Sequence, residues 1–417
     1  MSTDFDVVII GGGAAGIGAA RALAASGRST LMLEASARLG GRAWTLEIAG
    51  QRLDLGCGWL HSADRNSWVR VAEEAGAAID RRRPAWGVQY RNVNFSPGEQ
   101  RAAHAAFDAW LERLSAAPPQ SDCAADALPP GSEWNGYLQA ISGFISGALL
   151  ERISVADYLA YDDAATGSNW RAPQGYGDLI VASLPFRTVL RLSTPVEAIE
   201  LEPRGLALKT RFGAVHARTA ILTVSTHVLA SGAVKLPDAL DAWGEAASSL
   251  PLGRNEKLFL EVLGQSPFAP ETQVLGNPRD ERTAAYYIRP FGRMVIECFF
   301  GGEGAQMIEE SGPAAGFEYA IDQLAALFGT EARRNLRPLV ASCWSRTSGI
   351  GGGYSYALPG RAAARRRLAS PFEDRLFFAG EATNAQDFST AHGAHDSGVR
   401  AAREALAALQ SGGGSPV

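Results

Sequence analysis

Gly11, Gly13 and Gly16 stand in G-x-G-x-x-G spacing directly after the apolar run Asp6-Val-Val-Ile-Ile10, and an Ala-rich stretch from Ile17 to Ala25 follows them. That order reads as a buried strand, a tight turn and a helix, with Ala14 and Ala15 opening the helix. The first glycine permits the turn, the second admits a pyrophosphate to the backbone, and the third lets helix and strand pack closely. Unpaired N–H groups at the helix start would meet the phosphates. A second apolar run, Thr30-Leu-Met-Leu33, ends at Glu34-Ala35. A carboxylate at that strand end can accept both hydroxyls of an adenosine ribose and disfavours a 2′-phosphate. A glycine turn that merely packs would not require the terminal acid.

Further chemistry-bearing residues follow. Leu39-Gly-Gly-Arg42 carries Gly41 and Arg42, and Asp54-Leu-Gly-Cys-Gly-Trp-Leu-His61 carries Gly58, Trp59 and His61. Later come Pro251-Leu-Gly-Arg-Asn-Glu-Lys257, then Trp344 with Gly351-Gly-Gly-Tyr-Ser-Tyr356, and finally Phe378-Ala-Gly-Glu-Ala-Thr383 with Thr390-Ala-His-Gly-Ala394. In this order the segments resemble the flavin-containing amine oxidase family, related to monoamine and polyamine oxidases. The resemblance implies FAD rather than NAD. It also implies that Arg42 lies over the pyrophosphate and that the backbone of Val196 meets the adenine edge. Trp344 would pack beside the flavin. Glu381, after Gly380, would bond the ribitol or phosphate region. The Thr390-Ala391 helix start would face the flavin O2 and N1 edge, where a helix N-terminus suits the charge of reduced flavin.

The same resemblance gives Lys257 the lysine that holds a water beside flavin N5. A cation there stabilises negative charge that builds during reoxidation. The bland alternative is an edge-strand lysine facing water, as Glu381 could be a helix-capping acid and Trp344 a core residue. His61 is read either as pocket lining or as a structural hydrogen-bonding group. Cys57 is read as a small buried residue. Where vertebrate monoamine oxidases carry a flavin-linked cysteine, this chain places Gly352, so FAD is expected without a covalent link. The two aromatic positions that sandwich the amine fall on Gly353 and Thr390, and a one-residue slip would bring in Tyr354. Phe388 lies near the second position. If both rings are missing, Thr390 offers a hydroxyl in a wider site.

Competing chemistries fit poorly. His392 and His395 stand one helical turn apart beside Asp387 and Asp396, but no third ligand has zinc spacing, so no metal is expected. No G-x-S-x-G elbow supports a serine nucleophile. A net charge of −5 gives no basic field for nucleic acid or anionic lipid. Arg81-Arg-Arg83 and Arg365-Arg-Arg367 read as solvated surface or helix ends. Four scattered cysteines suit a reducing compartment. With no room for a signal peptide before the first strand and no long apolar run, a cytoplasmic protein without a membrane anchor is expected. The tail from Gln410 to Val417 reads as a flexible end. Ala, Arg and Gly richness suggests a bacterial source.

A chain of 417 residues exceeds the size at which one core stops growing, about 250 to 300 residues. The expected fold is α/β: a doubly wound, Rossmann-like FAD-binding domain of glutathione-reductase type, with a mixed-sheet and helical substrate domain. Residues 1–67, 172–240 and 340–417 are assigned to the first and 68–171 and 241–339 to the second. Helices are expected at Trp68–Ala78, Gly98–Leu114, Tyr137–Glu151, Leu179–Leu184, Phe317–Phe328 and Gly393–Leu409, with a breaker-rich loop between the second and third. Strands are expected at Val88–Val93, Thr194–Leu201, Leu206–Phe212 and Thr219–Ser225. Further strands are expected within Leu250–Gly264 and at Thr283–Ile288, Met294–Phe300 and Arg375–Glu381.

The expected activity is oxidation of a small-molecule amine to an imine, with dioxygen reduced to peroxide, by a monomer or homodimer. One rival is a desaturase or protoporphyrinogen-type oxidase acting on C–C bonds. The other is a flavin-binding protein without turnover.

Overall fold

The computed structural model describes residues 4–264 and 268–411. The tail expectation for residues 412–417 lies outside them, and Gln410 and Ser411 belong to the last helix, Ala391–Ser411.

The strand Phe5–Ile10 is almost wholly buried and pairs in parallel with Thr30–Leu33 on one side and Gly213–Leu222 on the other. Burial on both faces explains its continuous apolar sequence. Gly213–Leu222 is long enough to serve two neighbours. Its first half pairs antiparallel with Gly205–Thr210, and its last three residues pair in parallel with Leu376–Phe378. Val189–Arg191 and Val196–Glu202 complete a seven-stranded sheet drawn from the start, middle and end of the chain. The helices Ala14–Leu23 and Ala391–Ser411 pack together on this sheet through small side chains: Ala15, Ala19, Ala20, Ala394, Ala401, Ala402 and Ala405 are all buried. At Gly398 an added Cβ would lie 2.0 Å from the Ala15 carbonyl oxygen, so this crossing depends on the missing side chain.

A second sheet of five strands runs in the order Thr272–Leu275, Ala285–Ile288, Val295–Gly301, Asn255–Val262, Leu336–Ala341. Every pairing in it is antiparallel, where a mixed sheet was expected. Short hairpin-like connections join Thr272–Leu275, Ala285–Ile288 and Val295–Gly301, and the helices that follow carry the chain past Asn255–Val262 to Leu336–Ala341. Helix Pro313–Phe328 buries Phe317, Ala320, Ile321 and Leu324 in the core beneath this sheet.

Val88–Val93 is no strand: it holds a short 3-10 turn at Tyr90–Asn92, with Arg91 and Asn92 at positive φ. Gln89 draws the chain inward instead, its amide donating to the Val93 and Leu275 carbonyls and accepting from Leu275 N–H. The remaining expected helices appear at Ser67–Glu74, Pro97–Ala116, Asn135–Ser146 and Tyr176–Ala182. An unforeseen helix, Val155–Ala164, starts at the cap Ser154. Among the described residues no helix is long and apolar enough to cross a membrane.

Candidate active site

One cavity of about 880 Å³ runs from the glycine turn to the antiparallel sheet. Gly11, Gly13, Ala14 and Ala15 line one end, beside Glu34, Ala35, Gly41, Arg42 and Val196. Gly58, Trp59, His61, Lys257, Trp344, Gly380, Glu381, Thr390 and Ala391 line the rest. Of the residues expected to hold the cofactor or act in catalysis, Gly16 lies off its wall. It sits behind the turn, where an added Cβ would fall 1.9 Å from the Gly11 carbonyl oxygen. Its part is packing, as the fingerprint assigns to the third glycine.

At the glycine end, Glu34 accepts from Gly12 N–H at 2.6 Å and from Ser36 N–H at 2.8 Å. A carboxylate has about four acceptor sites, so two backbone donors fix its direction and leave capacity for a ligand's hydroxyls. An added Cβ at Gly13 would meet nothing nearer than 3.8 Å, which marks open space for a phosphate against the helix start.

Arg42 donates to the Gly353 carbonyl and, at 2.9 Å, to Glu381 Oε1. Ser355 and Ser389 N–H and the Ser355 hydroxyl complete the carboxylate's partners. Burial alone would push the Glu381 carboxyl up, but Arg42, Arg365 and these donors hold it below the usual range. Arg365 corrects the reading of Arg365-Arg-Arg367 as surface. Its guanidinium is buried, forms a bidentate pair with Asp157 at 2.6 and 2.8 Å, donates to Ser355 Oγ and lies over the Phe388 ring.

Lys257 lies on Asn255–Val262 and reaches across the sheet. Its Nζ stands 2.8 Å from Glu297 Oε1 and donates to the Asp54 carbonyl at 3.1 Å. An added Cβ at Gly58 would stand 3.2 Å from this nitrogen, so the glycine admits the ammonium. The Asp54 side chain is turned away, accepting from Thr45 Oγ1 and from Tyr176 and Gly177 N–H at the start of Tyr176–Ala182. Burial raises its pKa against those bonds. Trp344 Nε1 donates to the Leu55 carbonyl, while its backbone N–H is held by the buried Glu256. Burial lifts Glu256 to about 7.

His61 Nδ1 lies 2.8 Å from Asn169 Oδ1. That carbonyl is an acceptor, so Nδ1 carries the hydrogen and Nε2 is left as an acceptor. Burial lowers the ring's pKa to about 4, so it is neutral at pH 7. Burial raises the Cys57 thiol to about 12, which keeps it protonated.

The expected amine cage is rearranged. Gly353 and Tyr354, the expected first cage position and the one a one-residue slip would bring in, both line the cavity, and Gly352 does not. An added Cβ at Gly352 would press into Leu252 at 2.7 Å. Tyr354 donates to the Phe144 carbonyl. Thr390 has no hydroxyl proton left to offer a substrate. Its Oγ1 donates to the Asp387 carbonyl and accepts from Gly393 N–H, capping the last helix. Phe388 is absent from the wall and packs on Arg365 and Tyr161. The outer cavity is instead aromatic: Trp86 packs 4.5 Å from Trp59 with the rings tilted by 58°, and Trp59 lies 5.8 Å from Tyr287. His392 and His395 bond singly to Asp387 and Asp396, and no cluster fit for a metal occurs among the described residues.

Sequence reasoning passed over Glu297, Asn169, Trp86, Tyr287 and Arg365. Glu297 had a signal, being a lone acid in the apolar strand Val-Ile-Glu-Cys-Phe. Asn169 and Trp86 sit in loops, Tyr287 in the strand Ala285–Ile288 and Arg365 in an arginine cluster, and in none of these does local spacing reveal the partner.

A mixed, partly parallel α/β sheet with a glycine turn and an acid at its second strand's end, roofed by an antiparallel sheet bearing a buried lysine, has the architecture of a dinucleotide-binding fold. The model of the flavin containing amine oxidoreductase family matches residues 14–151 and 99–406, and the chain belongs to that family. It is 26% identical over 438 residues to polyamine oxidase 4 of Oryza sativa subsp. japonica, covering 95% of this chain and 88% of that protein. A shorter match reaches 47% identity over 70 residues with pseudooxynicotine dehydrogenase of Pseudomonas sp, 17% of this chain and 14% of that one. Among solved structures, cyclohexylamine oxidase from Brevibacterium oxydans IH-35A has a similar fold, with a TM-score of 0.76 at 19% identity, covering 98% of this chain and 100% of the other.

Proposed function

We propose that this enzyme holds FAD non-covalently and oxidises a bulky, largely apolar monoamine to the imine, passing the electrons to dioxygen to give peroxide. The residues present fit the cofactor. Gly11, Gly13, Ala14 and Ala15 would take its pyrophosphate with Arg42, Glu34 its ribose, Val196 its adenine edge, and Glu381 with the Thr390-Ala391 helix start its flavin end. When bound, FAD would accept the hydride equivalent leaving the amine's α-carbon.

The chain's own residues do the rest. Trp59, Trp86, Tyr287 and Tyr354 would exclude water and hold an apolar substrate body. His61 Nε2, an acceptor held by Asn169, would take a hydrogen bond from the amine N–H and orient it, while burial between the aromatic walls disfavours the ammonium and so favours the neutral, reactive form. Lys257 would hold a water and carry positive charge where oxygen is reduced. In the product, hydrolysis of the imine needs no protein nucleophile.

The observation that carries the substrate class is charge. Among the described lining residues the carboxylates are Glu34, Glu297 and Glu381, the first bound to backbone N–H groups and the other two paired with Lys257 and Arg42. None is free for the second ammonium of a polyamine, and burying such a charge unpaired is costly. This sets the chain apart from what the name of its rice relative indicates. A peroxide-release panel tests the reading: kcat/KM should be higher for large cyclic or N-substituted arylalkylamines than for putrescine, spermidine, benzylamine or phenylethylamine. Preference for a polyamine or a small amine would defeat it. The four cysteines are unpaired, which supports a reducing, cytoplasmic setting.

A further inference from the structure

We propose that Glu297 is a positioning residue that sets how much positive charge Lys257 presents to the reaction site, and so steers electrons between dioxygen and a quinone-type acceptor. The inference rests on the reading of Lys257 as the cation at the site of reoxidation.

The geometry is built into the sheet. Lys257 pairs with Phe299 across the antiparallel ladder, and Glu297 lies two residues before Phe299, hence on the same face. The two side chains reach the cavity wall together, only 9% and 18% exposed, and meet at 2.8 Å. A second bond, from Nζ to the Asp54 carbonyl, fixes the ammonium between two oxygens. A lone ammonium in a weakly polar cavity acts over many ångströms, because the field is little screened there. An ammonium joined to a carboxylate acts as a dipole, whose field falls off much faster.

Converting CH–NH to C=N releases two electrons and two protons. Dioxygen takes them up as H₂O₂, passing through states in which negative charge sits on oxygen, which a bare cation favours. A benzoquinone-type acceptor takes the same two electrons and two protons to become a hydroquinone. Its delocalised charge depends less on one nearby cation. The Lys257–Glu297 pair therefore restrains the oxygen step selectively.

The test uses FAD-loaded enzyme with Glu297→Gln, Lys257→Met and the double variant. Substrate-reduced enzyme is mixed with oxygen or with benzoquinone in a stopped-flow instrument, and sulfite affinity is read separately from the flavin absorbance as a probe of local positive charge. Glu297→Gln should speed the oxygen step and tighten sulfite binding roughly tenfold each, leaving the benzoquinone step nearly unchanged. Lys257→Met should shift both in the opposite direction, and adding Glu297→Gln to it, which removes the carboxylate left unpaired, should bring both back no further than wild type. Glu297→Asp should fall between wild type and Glu297→Gln, and it carries the comparison if Glu297→Gln loses its flavin. Wild-type oxygen and sulfite behaviour in the Glu297 variants would overturn the inference, as would a double variant as fast with oxygen, and as tight with sulfite, as Glu297→Gln alone. An oxygen step untouched by Lys257→Met would instead overturn the reading of Lys257, and this inference with it.

Discussion

Arg42 and Glu381 meet at 2.9 Å although 339 residues separate them. The contact ties the loop after the second strand of the parallel sheet to the turn after its last-joined strand, and Gly353 shares the same guanidinium. Its meaning lies in what stands behind it. Glu381 also meets Ser355, and Ser355 meets Arg365, which pairs with Asp157. Four distant segments are thus joined through one buried polar network on a wall of the cavity.

Removing one member of that network leaves a buried charge without its partner. Arg365→Met should lower stability by about 3–5 kcal/mol, the usual cost of breaking a buried pair. Exposed Arg366→Met should stay within about 0.5 kcal/mol, and Arg367→Met should lose about 0.5–1 kcal/mol with its place over the Trp243 ring. Denaturant unfolding of the three variants checks this.

Acid should loosen the same network. The folded Glu381 pKa lies below its unfolded value, so its contribution is present above the unfolded value and is lost as pH falls through the folded one. His61 adds a loss in a different window. Its folded pKa of about 4 lies below the unfolded value near 6.5, so the unfolded chain binds the extra proton between them and stability falls as pH drops through that range. A pH series of melting temperatures for wild type and His61→Gln should show a shallower decline in the variant between those limits.

Flavin should leave the protein on acid precipitation. Gly353, Gly352 and a thiol at Cys57 pushed up to about 12 offer no ready nucleophile. Absorbance near 450 nm should be recovered in the supernatant, and a yellow pellet would contradict non-covalent binding.

Trp86 is 40% exposed at the cavity mouth and packs on Trp59. Trp86→Ala should raise KM for a bulky arylalkylamine roughly tenfold, as loss of about 1.5 kcal/mol of aromatic contact implies, with kcat little changed. Steady-state kinetics on both forms decides this. A fall in kcat at constant KM would place Trp86 in the chemical step instead.

The local sequence by itself determined the glycine turn, its flanking strand and helix, the acid at the second strand end and the positions of Lys257, Trp344 and Glu381. Each depends on spacing within a few residues, where backbone geometry leaves few choices. Direction and partnership were decided only by the tertiary structure. Thr390 reads as a hydroxyl for the substrate until the last helix claims it as a cap, and Arg365 reads as surface until Asp157 arrives from 208 positions away. Lys257 reads as a free cation until the pleat of the antiparallel sheet sets Glu297 beside it. A side chain's charge and hydrogen bonds are spent on whichever groups packing brings within about 3 Å, and for these three residues the deciding groups lie in backbone or side chains whose approach no local spacing encodes.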